Sequence, residues 1–95
     1  MHIISRKALR LFWEKHPDSQ APLIRWFRVV RNTQFGSFAE IRAVFPSADL
    51  VGKWIVFNIG GNKYRLISSV HFNRGKLYVR AVLTHREYDE EKWKK

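Results

Sequence analysis

Ninety-five residues with 18 Lys+Arg, 8 Asp+Glu and no Cys, 45% of them hydrophobic, describe one small, strongly basic folding unit over 1–95. The missing Cys excludes a disulfide framework, a thiolate zinc site and a thiol nucleophile. A formal charge of +10 repels itself in a compact fold and points to an anionic partner, with a merely solvated basic surface as the plainer alternative.

In chain order, His2-Ile3-Ile4 is a short apolar start that fits a strand. A helix follows from Ser5, because Ala8, Leu9, Phe12 and Trp13 share one stripe while Arg6, Lys7, Arg10 and Glu14 lie off it. It should end near His16-Pro17, since a residue before Pro avoids helical dihedrals. Asp18 and Ser19 are cap candidates for a second helix carrying Leu23, Trp26, Phe27 and Val30 at i, i+3, i+4, i+7. Ser37-Phe38-Ala39-Glu40 has the form of a capping box for a short third helix closed by Pro46.

After Asp49 the apolar period changes to alternation, which predicts a three-stranded meander. A two-residue Gly60-Gly61 turn would set Phe57 opposite Tyr64 and Ile55 opposite Leu66. A four-residue loop, Asn73 to Lys76, would set Phe72 opposite Leu77, Val70 opposite Val79 and Leu66 opposite Leu83. Both hairpins then give one core face of Ile55, Phe57, Tyr64, Leu66, Val70, Phe72, Leu77, Val79 and Leu83. Lys63, Arg65, Ser69, His71, Tyr78, Arg80 and Thr84 take the other face. Thr84-His85-Arg86-Glu87 forms a second capping box, opening a last helix with its acids early and Lys92, Lys94 and Lys95 late. In this register Arg65 faces Thr84, so His85 should lie near Arg65 with Tyr88 one turn on.

The polar face therefore gathers Lys63, Arg65, Arg80, Tyr78, His71, His85 and Tyr88. Arg holds a phosphate with a rigid fork, Tyr and His stack on unpaired bases, and a His near an Arg suits proton transfer near neutral pH. The same face also fits an ordinary solvated sheet surface. His85 and Asp89 are spaced as a metal pair, but no third ligand accompanies them, so neither a metal nor a cofactor is expected. Gly60-Gly61-Asn62 joins strand to strand, which a phosphate-binding loop does not do.

Three strings carry a resemblance: Val44-Phe45-Pro46-Ser47-Ala48-Asp49, Phe57-Asn58-Ile59-Gly60-Gly61-Asn62-Lys63-Tyr64-Arg65-Leu66, and Val82-Leu83-Thr84-His85-Arg86-Glu87-Tyr88-Asp89. In this order and spacing they resemble the HigB-type toxins of bacterial type II toxin–antitoxin systems, within the RelE-like superfamily of messenger-RNA endonucleases. The resemblance implies an α+β fold, with a first strand and two helices packed on a mainly antiparallel sheet and a short C-terminal helix. It implies metal-independent cleavage of messenger RNA, often on the ribosome, by attack of a ribose 2′-hydroxyl on the adjacent phosphate.

Carried over by position, the resemblance marks Arg65, His85 and Tyr88 as catalytic. Lys63, Arg80, Tyr78, His71 and Asn62 are the RNA-binding candidates. The implied partners are messenger RNA, the ribosome and a helix-turn-helix antitoxin, with operator DNA reached only through the toxin–antitoxin complex. No membrane partner is expected: the longest apolar run is Trp54 to Phe57, and the chain turns charged at Ser5-Arg6-Lys7, which reads as cytoplasmic. A non-catalytic RNA-binding or regulatory module would use the same patch without the proton-transfer groups.

Overall fold

A computed structural model describes residues 1–94 as an α+β fold with a five-stranded mixed sheet in the order β1-β5-β4-β3-β2. The elements are β1 (His2–Ile4), α1 (Arg6–Lys15), α2 (Gln20–Arg31), α3 (Phe38–Val44), β2 (Asp49–Val51), β3 (Trp54–Ile59), β4 (Tyr64–His71), β5 (Lys76–Thr84) and α4 (His85–Asp89). Strands β2 to β5 run antiparallel in sequence, and β1 joins β5 in parallel. Lys95 lies outside the described residues, and among those no helix is long and apolar enough to cross a membrane.

The three long helices cover one sheet face. Leu9 from α1, Leu23, Trp26 and Val30 from α2 and Ile41 from α3 are buried against Ile55, Phe57, Ile59, Tyr64, Leu66 and Leu77. Each such side chain contributes about 1.5–3 kcal/mol of burial, so this layer holds the fold. The ammonium of Met1 donates to the carbonyls of Val30, Arg31 and Thr33, placing positive charge at the negative end of α2.

Several expectations need correction. Ser19 stands at the start of α2 without capping it, because a 3-10 turn over Pro17–Ser19 runs directly into the helix. Its hydroxyl donates instead to the His16 carbonyl at 2.6 Å. Asp18 caps nothing and reaches across to the sheet. At α3, Ser37 accepts from the Glu40 amide, but Glu40 returns to Gly36 and leaves the capping box half made.

The meander has one strand more than expected. Asp49–Val51 pairs with β3 around a tight Gly52-Lys53 turn, too short to show in the alternation. The first hairpin turn holds four residues, Gly60 to Lys63, so Ile59 faces Tyr64 and Phe57 faces Leu66. That slip of two residues leaves the paired side chains on their expected faces but takes Lys63 out of the strand and into the turn.

The second loop is Phe72 to Gly75, closed by Gly75 at φ 64°, and Val70 faces Leu77. A bulge between Ile67 and Ser68 then leaves Arg80 without a partner. Its single extra residue exchanges two positions, bringing Val82 to the helix layer and turning Leu83 outward. Arg65 consequently faces Leu83, and Thr84 faces Tyr64.

Candidate active site

Arg65 and Tyr88 meet on the sheet face away from the helices. Arg65 is held there by β4 pairing, which sets it beside Asn58 of β3. Contrary to a solvated outer face, its side chain is buried, with the residue only 9% exposed. One guanidinium nitrogen donates to the carbonyls of Asn62 at 3.1 Å and Tyr64 at 3.2 Å, and the other to Asn62 Oδ1 at 3.1 Å. Three of the five N–H donors are thus used, and the remaining two have no partner among the described residues. A cation braced on one side and open on the other is suited to gripping an anion.

Tyr88 comes from α4, whose start is fixed by the capping box seen in the sequence. Thr84 Oγ1 accepts from the Glu87 amide, and Glu87 returns to the Thr84 amide at 2.9 Å. The Arg65 guanidinium lies 5.5 Å from the Tyr88 ring centre. Trp93 stacks on the same ring at 5.0 Å and donates its indole N–H to the Tyr88 carbonyl at 2.9 Å.

The helix stops at Asp89 rather than running on through the lysines. Glu91 turns the chain at φ 61°, and a 3-10 turn over Lys92–Lys94 lays Trp93 on Val56 and Ile67. Burying an indole there outweighs a few more turns of a charged helix. Trp93 was missed by the sequence reading; an aromatic among lysines carries no periodic signal.

His85 opens α4. Its amide donates to the Lys63 carbonyl at 3.2 Å, which ties the helix to the first hairpin turn. Its Nδ1 lies 3.0 Å from Asp89, one turn on, and both side chains are about half exposed. A carboxylate on Nδ1 fixes the ring and leaves Nε2 to exchange a proton. His85 shares a helix face with Tyr88 but does not line the cleft that Arg65 and Tyr88 form with Arg42, Ser47, Asp49 and Asn58. Those last four were not singled out as site residues, although Ser47, Asp49 and Asn58 lie inside the strings that carried the resemblance.

The other candidates are dispersed. Asn62 is part of the brace on Arg65. Lys63 turns to the helix side and pairs with Asp18 at 2.6 Å, where Tyr64 also donates to Asp18 at 2.6 Å. The hydrogen bond from Lys63 holds the Asp18 carboxyl below its usual range, and the same carboxylate raises Lys63 and Tyr64. Arg80, exposed at the bulge, lies 5.6 Å from the Trp54 ring. His71 and Tyr78 pack edge to face at 5.2 Å, with His71 six residues along β4 from Arg65, about 20 Å away. The structure therefore joins Arg65, Tyr88 and Asn62 closely, brings His85 alongside, and leaves Arg80, Tyr78 and His71 further along the same sheet.

Residues 19–91 match the family described as HigB_toxin, RelE-like toxic component of a toxin-antitoxin system. The chain is 39% identical over 92 residues to the mRNA interferase toxin HigB of Escherichia coli (strain K12), a match covering 94% of this chain and 88% of that protein. It is equally similar to the mRNA interferase HigB of Shigella flexneri, with the same coverage. It is 33% identical over 93 residues to the mRNA interferase HigB of Escherichia coli O6:H1, covering 95% and 90% of the two chains. With three-quarters of its length inside the family's match and its site strings in place, the chain belongs to the HigB toxin family of RelE-like toxic components of toxin–antitoxin systems.

Proposed function

We infer that the chain is an endoribonuclease toxin that cleaves messenger RNA, inhibits translation and is neutralised by a cognate antitoxin. The observation that carries this reading is the Arg65 guanidinium braced against the Tyr88 ring, with His85 one turn earlier on the same capped helix. Family membership and relatives named as mRNA interferases support it. The five-stranded sheet with helices on one face is read as a RelE-like arrangement with the extra short strand β2.

Cleavage by a 2′-hydroxyl requires a proton removed from that hydroxyl, a proton given to the leaving 5′-oxygen, and positive charge at the phosphate. Arg65 supplies the charge through its two unpaired donors. His85, oriented by Asp89, gives the proton to the leaving oxygen. Tyr88 relays the proton of the 2′-hydroxyl to water through its own hydroxyl rather than stacking on a base, because Trp93 and Arg65 already lie on its ring. Asn62 acts by holding Arg65. Arg80, with Tyr78 and His71 beyond it, extends the RNA track along the sheet, and Lys63 contributes to the hairpin turn's positive charge. Message bound to the ribosome is the proposed substrate, and a helix-turn-helix antitoxin the proposed inhibitor, with operator DNA reached only through their complex.

The test is single-turnover cleavage of messenger RNA by folded His85→Gln and Tyr88→Phe variants. Each should fall by about 10²–10⁴-fold, the range for a lost proton-transfer group. A His85→Gln rate within a few-fold of the parent removes His85 from the chemistry. A parent that binds message without cutting it, on or off the ribosome, would make the chain a binding module instead.

A further inference from the structure

On the helical side, opposite the candidate active site, a groove runs between α1 and α2. Its floor is apolar, built from the half-buried Trp13, Ile24 and Phe27, and its rim carries the exposed Arg6, Arg28 and Arg31. Helix α2 has three arginines and no carboxylate along its length, and α1 has only Glu14, which does not line the groove. Among the described residues none of the three rim arginines has a carboxylate within ion-pair distance. Three guanidiniums left unneutralised around an apolar trough repel one another, and a partner with the opposite pattern would relieve them.

We propose that this groove docks an acidic amphipathic segment of the cognate antitoxin, with apolar side chains entering between the helices and carboxylates meeting Arg6, Arg28 and Arg31. The inference rests on the toxin reading above and adds the place and chemistry of the contact. A peptide fits better than RNA for two reasons. The floor is built of aliphatic and aromatic side chains that suit an apolar helix face. The ring of Phe27, one of two aromatics a base could stack on, already has the Arg6 guanidinium over it at 5.2 Å. An occupant here sits on the other side of the sheet from Arg65 and Tyr88. It therefore anchors the antitoxin without itself covering the site.

The experiment measures antitoxin affinity by calorimetry at low and physiological salt, alongside messenger-RNA cleavage by the free toxin, for the parent, Arg28→Gln/Arg31→Gln and Ile24→Ser. The double variant should weaken antitoxin binding by at least about tenfold and flatten its salt dependence, with cleavage unchanged. Ile24→Ser should weaken binding with the parent's salt dependence largely kept. Unaltered affinity in both variants overturns the proposal. So does a loss of cleavage with affinity intact, which would assign the groove to RNA. A parent that cleaves message but does not bind the antitoxin sinks the groove proposal alone, whereas a parent that does neither sinks the toxin reading with it.

Discussion

Arg65 is part of the scaffold as well as the proposed phosphate clamp. Its partners Asn62 and Tyr64 are backbone and side-chain acceptors of the adjoining turn, so truncation leaves them unsatisfied beneath a buried cation's vacated space. Arg65→Ala should therefore lose stability, by about 1.5–3 kcal/mol for hydrogen bonds to a charged group. It should also lose about 10²–10³-fold in cleavage rate if the guanidinium stabilises the reacting phosphate. A thermal melt and a cleavage assay on the same preparation separate the two effects. Arg65→Lys keeps the charge without the fork, and should recover more stability than activity. Sequence register placed this residue on the outer face correctly, but not its burial. The ring over its guanidinium is that of Tyr88, stacked in turn on Trp93 from a segment with no pattern to read.

At the level of elements, two contacts fasten the last helix and the first hairpin where the site needs them. The C-terminal turn buries Trp93 against Val56 and Ile67 and stacks it on Tyr88. Trp93→Ala should cost about 3 kcal/mol, the lower end for a buried Trp, and lower the maximal cleavage rate more than substrate affinity by freeing Tyr88. Trp93→Phe should restore most of both, and melts with steady-state kinetics check this.

The second fastening is Asp18 with Lys63 and Tyr64. Because the folded state lowers Asp18, its contribution is present above the unfolded carboxyl's titration and disappears as pH falls through the folded value. Lys63 and Tyr64 are raised, so theirs is present below their unfolded values and is lost as alkali passes the folded ones. Asp18→Asn should lower the middle of the melting temperature's pH profile slightly, because the Asp18–Lys63 pair is exposed, and flatten its fall at both ends to the same extent. This pairing joins residues 45 apart in sequence, and nothing local announces it. The capping box at Thr84, by contrast, was legible because both its partners lie within one turn.

Taken whole, the molecule divides its charge between two layers: the sheet face with Arg65 and Arg80, and the helix groove with Arg6, Arg28 and Arg31. Binding of an uncleavable messenger-RNA fragment should weaken steeply with added salt, with a log–log slope near −0.7 per phosphate neutralised for a single strand. Arg80→Gln should make that slope shallower by about that amount, while Arg28→Gln should leave it unchanged; titrations at several salt concentrations decide. The partition of the sheet into two faces was readable because the hairpin slip was even-numbered, and it failed only at Lys63, taken into the turn, and beyond the bulge at Arg80. That bulge decides which side chains face the helices at the end of β5. Were the same nine residues paired without it, Leu83 would turn towards the helices and Val82 outward, and α4 would start from the wrong side of the sheet, carrying His85 and Tyr88 away from Arg65. Natural variation should therefore exchange the side chain at position 80 freely and tolerate loss of that one residue, which leaves every other pairing of β5 in place, but admit no single-residue insertion between Ala81 and Thr84.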